Sequence, residues 1–177
     1  MKTSSIIFAT LLMMVSFSTT VSAQHSINTS AGANIVRGIT LAETTPLHFG
    51  SMSIPTSAVN VVLTTANERY TSSPANITLL SQFPVSENAT YTVAGSEAAT
   101  YAITLPSNGS VTISNGSKQM DIVDFVAHTA SAGVDGNAGH LDASGVDSFS
   151  VGATLKLENE QPFGNYTGTF GITVNYN

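Results

Sequence analysis

The side chains that could do chemistry are His25, His48, His128 and His140, eleven Asp and Glu, and a large set of Ser and Thr; there is no cysteine. Thiol catalysis and cysteine-ligated metal are therefore excluded. No two histidines stand at metal-ligand spacing, and no H-E-x-x-H is present. No G-x-S-x-G elbow and no Gly-rich phosphate loop occurs, so the serines have no nucleophile context. The stretch DGNAGHLD, Asp135 to Asp142, starts like a calcium loop with Asp135 and Asn137. It then places Gly139 where a ligand should stand and His140 where the turn glycine should stand. It reads as a solvated turn. Asp121 and Asp124 are three apart, which puts them on opposite faces of a strand and prevents joint acid–base work. No cofactor, no metal and no catalytic residue is expected, and the chain reads as a non-enzyme.

The elements around these residues are strands. Met1-Lys2, the apolar run Ile6 to Phe17 and the small-x-small site Val21-Ser22-Ala23 form a secretory signal peptide over residues 1–23. Its apolar run is too short to span a bilayer, and no later run could cross one as a helix. Cleavage after Ala23 leaves one domain's length of chain. Without Lys2, four basic residues oppose eleven carboxylates, a net charge of −7. A basic footprint is missing, so nucleic acid is not an expected partner. Charged residues make up only 9% of the chain, while apolar residues make up 42%. This balance suits Ser/Thr-faced strands over a core rather than disorder.

After residue 23 short alternating runs replace helical periodicity. Ile35 to Leu41 reads as the first strand, and residues 24–34 as a flexible segment before a single domain, 35–177. Val59 to Leu63, Ile77 to Leu80, Tyr91 to Val93 and Tyr101 to Leu105 follow. Asn108-Gly109 and Asn115-Gly116 are hairpin signals and suggest a three-stranded meander over 99–126. Residues 130–145 form a Gly-rich loop with room for a short extra hairpin, and Phe149 to Leu157 alternates again. The expected fold is all-β: an antiparallel, immunoglobulin-like or pilin-like β-sandwich of about eight to ten strands. A closed barrel is the structural alternative.

Four stretches, LHFG (47–50), TYAITLP (100–106), SFSVGATLKL (148–157) and FGNYTGTFGITVNYN (163–177), resemble the bacterial secreted family called domain of unknown function forty-four-oh-two. That resemblance implies a secreted β-sandwich and no catalytic residue. The ending also resembles, more weakly, subunits of chaperone–usher fimbriae. Tyr176 is penultimate, Gly164 is fourteenth from the end, and Tyr166, Phe170, Ile172 and Val174 alternate between them. The resemblance implies that Gly164, Tyr166, Phe170, Ile172, Val174 and Tyr176 serve recognition by a partner strand, with a periplasmic chaperone or other surface subunits as partners.

The functional expectation is a secreted, non-catalytic surface or fimbria-like structural or adhesion protein of a bacterium. It would be exported through the inner membrane to the periplasm, cell surface or exterior. The alternative is a self-contained glycan-binding module using loop aromatics such as Tyr70 and Phe83. Because residues 24–34 offer only Ile27 as a large apolar group, and Ile35 to Leu41 reads as the domain's own strand, the isolated chain is expected to be a self-complemented monomer.

Overall fold

The computed structural model describes residues 24–73 and 76–177. The signal peptide expected over 1–23 lies outside them. Residues 24–39 carry no regular secondary structure. The folded unit begins at Val36.

Thirteen strands and no helix make up the described residues: β1 (Thr40–Thr45), β2 (His48–Phe49), β3 (Val59–Leu63), β4 (Arg69–Thr71), β5 (Ser86–Glu87), β6 (Ala89–Ala94), β7 (Thr100–Thr104), β8 (Val111–Ser114), β9 (Gln119–Thr129), β10 (Val134–Asp135), β11 (Ala138–His140), β12 (Val146–Leu157) and β13 (Thr173–Tyr176). Five of them have only two or three residues, which explains why alternation detects fewer. All pairings are antiparallel. The molecule is an all-β antiparallel sandwich, as the patterning predicts.

The long strand β12 organises the larger sheet. One edge pairs with β9. The other pairs with β6 along Val146 to Val151 and with β3 along Ala153 to Leu157. Gly152 sits at the changeover. A Cβ there would lie 2.4 Å from the Leu63 carbonyl oxygen, so only glycine lets the chain leaving β3 pass this close. Opposite lie a three-stranded sheet, β11-β7-β13, and the short pair β2-β5. The interior forms two clusters. One gathers Val59, Val61, Leu63, Val111, Ile122 and Leu155; the other gathers Tyr91, Val93, Tyr101, Phe149, Val151 and Val174. Tyr91 stacks on Phe149 with centroids 5.0 Å apart.

Several expected elements are redrawn. The first strand runs over Thr40–Thr45, not Ile35 to Leu41. Thr40 pairs with Ala94, the last residue of β6, so residues upstream have no strand to ladder with. Ile35 is 96% exposed. The meander over 99–126 is also corrected. β8 and β9 form a hairpin around Asn115-Gly116, but β7 lies in the other sheet, paired with β11 and β13. Asn108-Gly109 therefore turns the chain between sheets. The expected extra hairpin is instead two strands that part company, β10 joining β9 and β11 joining β7. Ile77 to Leu80 contributes only a bridge, Met52 to Leu79.

Asp121 and Asp124 do not face opposite sides. A register irregularity in β9 and a left-handed Asp124 (φ 52°) leave both exposed, with Ile122 and Val123 both buried between them. Asn108 holds the bulge: its Oδ1 accepts the Asp124 N–H at 2.7 Å and its Nδ2 donates to Asp124 Oδ1 at 2.8 Å.

Candidate functional site

The C-terminal segment alternates as its sequence predicts. Tyr166, Phe170, Ile172 and Tyr176 are half-buried and Val174 is buried, while Thr167, Thr169, Gly171, Thr173 and Asn175 are exposed. It is not one continuous strand. Near its start Thr167 bridges to Ser114 of β8, with N–H to carbonyl bonds of 3.0 and 2.9 Å in the two directions. At its end β13 pairs with β7. The segment thus crosses from the edge of one sheet to the edge of the other. Gly168 permits the first contact, since a Cβ there would lie 2.4 Å from the Thr112 carbonyl oxygen.

This crossing divides the six expected recognition residues. Gly164, Tyr166 and Phe170 line an open groove of about 880 Å³. Ile172, Val174 and Tyr176 do not line it and pack with the other core cluster. The Tyr176 hydroxyl donates to the Arg37 carbonyl and accepts the Ser96 N–H, each at 2.7 Å. Its ring is thus held by its own chain.

The groove has a floor and two walls. The floor is one face of β8, β9 and β12, with Val111, Ile113, Met120, Ile122, Leu155 and Leu157. One wall is residues 47–55, the other residues 161–170. The first wall pairs with the 78–80 strip and β5, and at its end the Pro55 carbonyl accepts the Glu160 N–H at 3.1 Å. Ser51 and Ser53 exchange backbone bonds with Leu80 and Thr78, and His48 and Phe49 pair with β5. No further strand ladders onto its opposite edge among the described residues. The second wall has its Thr167 bonded to β8, and β13 is likewise the outer strand of its sheet.

Arg69 braces the first wall. Its Nη1 donates to the Phe49 and Ser51 carbonyls at 2.8 and 3.1 Å, and its Nη2 donates to the Leu80 carbonyl at 2.6 Å. Burial pulls its pKa down from the ordinary guanidinium value. Tyr166 is fixed in the second wall, donating to the Pro162 carbonyl at 2.8 Å and accepting from Gln161 Nε2 at 3.1 Å. Phe170 packs on Phe125 with centroids 5.0 Å apart.

The groove's apolar surface is unevenly covered. Its floor is mostly buried. Leu47, Met52, Ile113, Tyr166 and Phe170 remain half-buried, and Ile54, Phe83 and Phe163 are exposed. Phe83 and Phe163, both in the groove's lining, show 91% and 87% of their surface. Of the two loop aromatics expected to bind glycan, Phe83 lines the groove and Tyr70, on β4, does not.

The model of the family described as Domain of unknown function (DUF4402) matches residues 39–176. The chain belongs to that family. Neither the curated proteins nor the solved structures contain a significant match. The DUF4402 match spans both walls of the groove and its floor, so the site is built wholly from the family's domain. The matched range also contains the four stretches that carry the resemblance, apart from the final Asn177.

Sequence reasoning missed the first wall and the floor as parts of this site. The only signal was LHFG followed by an irregular apolar scatter, Met52, Ile54 and Pro55, too short-ranged for a periodicity to register. The histidines remain scattered. His48 Nδ1 accepts the Gly50 N–H at 2.8 Å, and His128 lies 3.0 Å from Asp135, which Thr65 also contacts. Asp135 is thus engaged with its neighbours on the surface.

Proposed function

We propose that this DUF4402 protein is a non-catalytic structural subunit of a bacterial surface assembly, and that its groove receives an extended strand from a partner. The partner is a periplasmic chaperone or another surface subunit. Export through the inner membrane to the periplasm, cell surface or exterior is part of this reading, supported by the signal-peptide pattern of residues 1–23.

The observation that carries the proposal is the groove itself. Two walls, 47–55 and 161–170, flank a sheet face of aliphatic side chains, and among the described residues no strand lies between them. An added strand could offer main-chain hydrogen bonds to the walls and alternate side chains to the floor, which is the logic of strand addition. The groove's lining has one titratable side chain besides Tyr166, His48, whose Nδ1 is already engaged. Such a lining suits apolar burial rather than acid–base chemistry.

A panel of extended peptides tests this directly. Peptides with alternating apolar residues should bind saturably and shift the NMR signals of Ile113, Tyr166 and Phe170. Peptides of the same composition with the alternation scrambled should bind at least tenfold more weakly. No binding by either set would sink the proposal. The exposed rings of Phe83 and Phe163 favour a second reading, a glycan-binding module, because flat apolar rings suit sugar faces. Shifts at these two rings with a glycan, and none with peptides, would select it.

A further inference from the structure

We infer that Asn115 is a self-modification site: its side-chain amide is placed to condense with the Gly116 backbone nitrogen and, with water, to become an aspartyl or isoaspartyl residue.

The tetrapeptide Ser-Asn-Gly-Ser occurs twice, at 107–110 and at 114–117. In both copies the glycine has positive φ, 81° at Gly109 and 89° at Gly116. Glycine has no side chain, so the nitrogen that follows each asparagine can be approached closely. The two asparagines thus start with the same local chemistry. Their surroundings differ.

Asn115 Oδ1 accepts three hydrogen bonds, from the Ser117 N–H at 3.0 Å, Ser117 Oγ at 2.9 Å and the Lys118 N–H at 2.9 Å. This turn folds the side chain back over the residues that follow it. The Gly116 N–H donates to Ser114 Oγ at 3.0 Å, and Gly116 is exposed, so hydroxide from solvent can reach its proton. Once that proton is taken, the nitrogen bonds to Asn115 Cγ and the carbonyl electron pair moves onto Oδ1. The three donors already aimed at Oδ1 stabilise that charge as it develops, as an oxyanion hole does. The pair then returns, the Cγ–Nδ2 bond breaks, and Nδ2 takes a proton from water and leaves as ammonia. Water opens the resulting succinimide at either carbonyl. Attack at Cγ gives an aspartyl residue, and attack at the main-chain carbonyl gives an isoaspartyl one.

Asn108 is held the opposite way. Its Oδ1 accepts the Asp124 N–H, and its Nδ2 donates to the Asp124 carboxylate. That carboxylate retains the leaving nitrogen and repels negative charge forming on the same amide. Conversion at Asn115 would alter the groove's second wall. A carboxylate would arise beside Gly164, where a Cβ would lie 3.0 Å from Asn115 Nδ2. The isoaspartyl form would also lengthen the main chain next to Ser114, which carries the bridge to Thr167.

The test incubates the full chain at pH 8 and follows both asparagines by peptide mapping, with isoaspartate methyltransferase to mark the isoaspartyl product. In the folded protein Asn115 should convert at least tenfold faster than Asn108. In guanidinium, where only the shared tetrapeptide remains, the two rates should agree within twofold. A smaller ratio in the fold, or an Asn115 rate no higher folded than unfolded, overturns the inference. Ser117→Ala removes one donor and leaves the two backbone donors. It should slow Asn115 at least threefold in the fold and leave its unfolded rate within twofold. An unchanged folded rate would mean that the donors around Oδ1 do not drive the reaction, which also overturns it.

Discussion

The Tyr176 hydroxyl donates to the Arg37 carbonyl across 2.7 Å, joining the next-to-last residue to the first tied residue of the folded unit, 139 positions away. The same oxygen accepts the Ser96 N–H at 2.7 Å. Gly95 makes room for it, because a Cβ there would fall 2.2 Å from that oxygen. Tyr176→Phe removes both bonds and leaves the ring in place. It should cost about 1–3 kcal/mol, two bonds at the usual net value. Hydrogen exchange should show faster exchange of the Ser96 amide before any change at the Val61 amide.

Tyr101 and Asp147 form a second long-range tie, this one in the core. The Tyr101 hydroxyl donates to Asp147 Oδ2 at 2.8 Å, Ser131 Oγ donates to the same oxygen at 2.5 Å, and the Ser148 N–H donates to Oδ1 at 2.8 Å. Burial, followed by the bond and charge of Asp147, pushes the Tyr101 phenol well above its ordinary value. A phenol raised in the fold contributes stability that is fully present below its unfolded pKa of about 10 and is lost as pH rises above it. Tyr91, pushed up to about 12 by burial and then by Glu43, acts in the same direction. Denaturant melts should show stability falling above pH 10. Tyr101→Phe should flatten that fall while lowering stability at pH 7 by about 1–3 kcal/mol.

Ile172 and Thr173 are neighbours on opposite faces. Ile172 is half-buried against the second core cluster and Thr173 is exposed. Ile172→Asp should cost about 2 kcal/mol or more by placing a carboxylate against aliphatic neighbours. Thr173→Asp should stay within about 0.5 kcal/mol. Chemical denaturation of the two variants decides it, and equal costs would contradict the packing.

Arg69 reaches three carbonyls on two strips of chain. Arg69→Met keeps the aliphatic stem and removes all three bonds, leaving the Ser51 carbonyl with its Leu80 N–H bond alone. It should cost about 2–4 kcal/mol. Peptide capture in the groove should weaken more than the melt predicts, because the wall 47–55 loses its brace. Arg69→Lys should recover only part of the loss, since an ammonium cannot reproduce the planar fork.

Asp142 accepts the Val146 and Ser144 N–H groups at 2.9 and 2.8 Å, and these bonds, Val146 first, lower its pKa. The bonds therefore persist above the usual Asp value of about 3.9 and are lost as pH falls through the lower folded value. NMR amide temperature coefficients at Ser144 and Val146 should stay constant from pH 7 to 5 and change only in stronger acid. Asp142→Ala should show the changed values at every pH.

The sequence by itself determined the fold class and most strands. Side-chain alternation is a local property, so Val59 to Leu63 and the last eleven residues show which face is buried without knowing what covers it. The DUF4402 resemblance was likewise legible, because it rests on short ordered stretches of residue types. Tertiary structure alone decided the partners of each strand. Alternation cannot tell that β7 leaves the sheet that β8 and β9 join, or that β12 changes partner at Gly152, because pairing is set by contacts distant in sequence. A bulge defeats alternation outright, as at Asp124. The groove was illegible for the same reason. Its floor and walls come from residues 47 to 170, and the space between two walls belongs to no stretch of sequence.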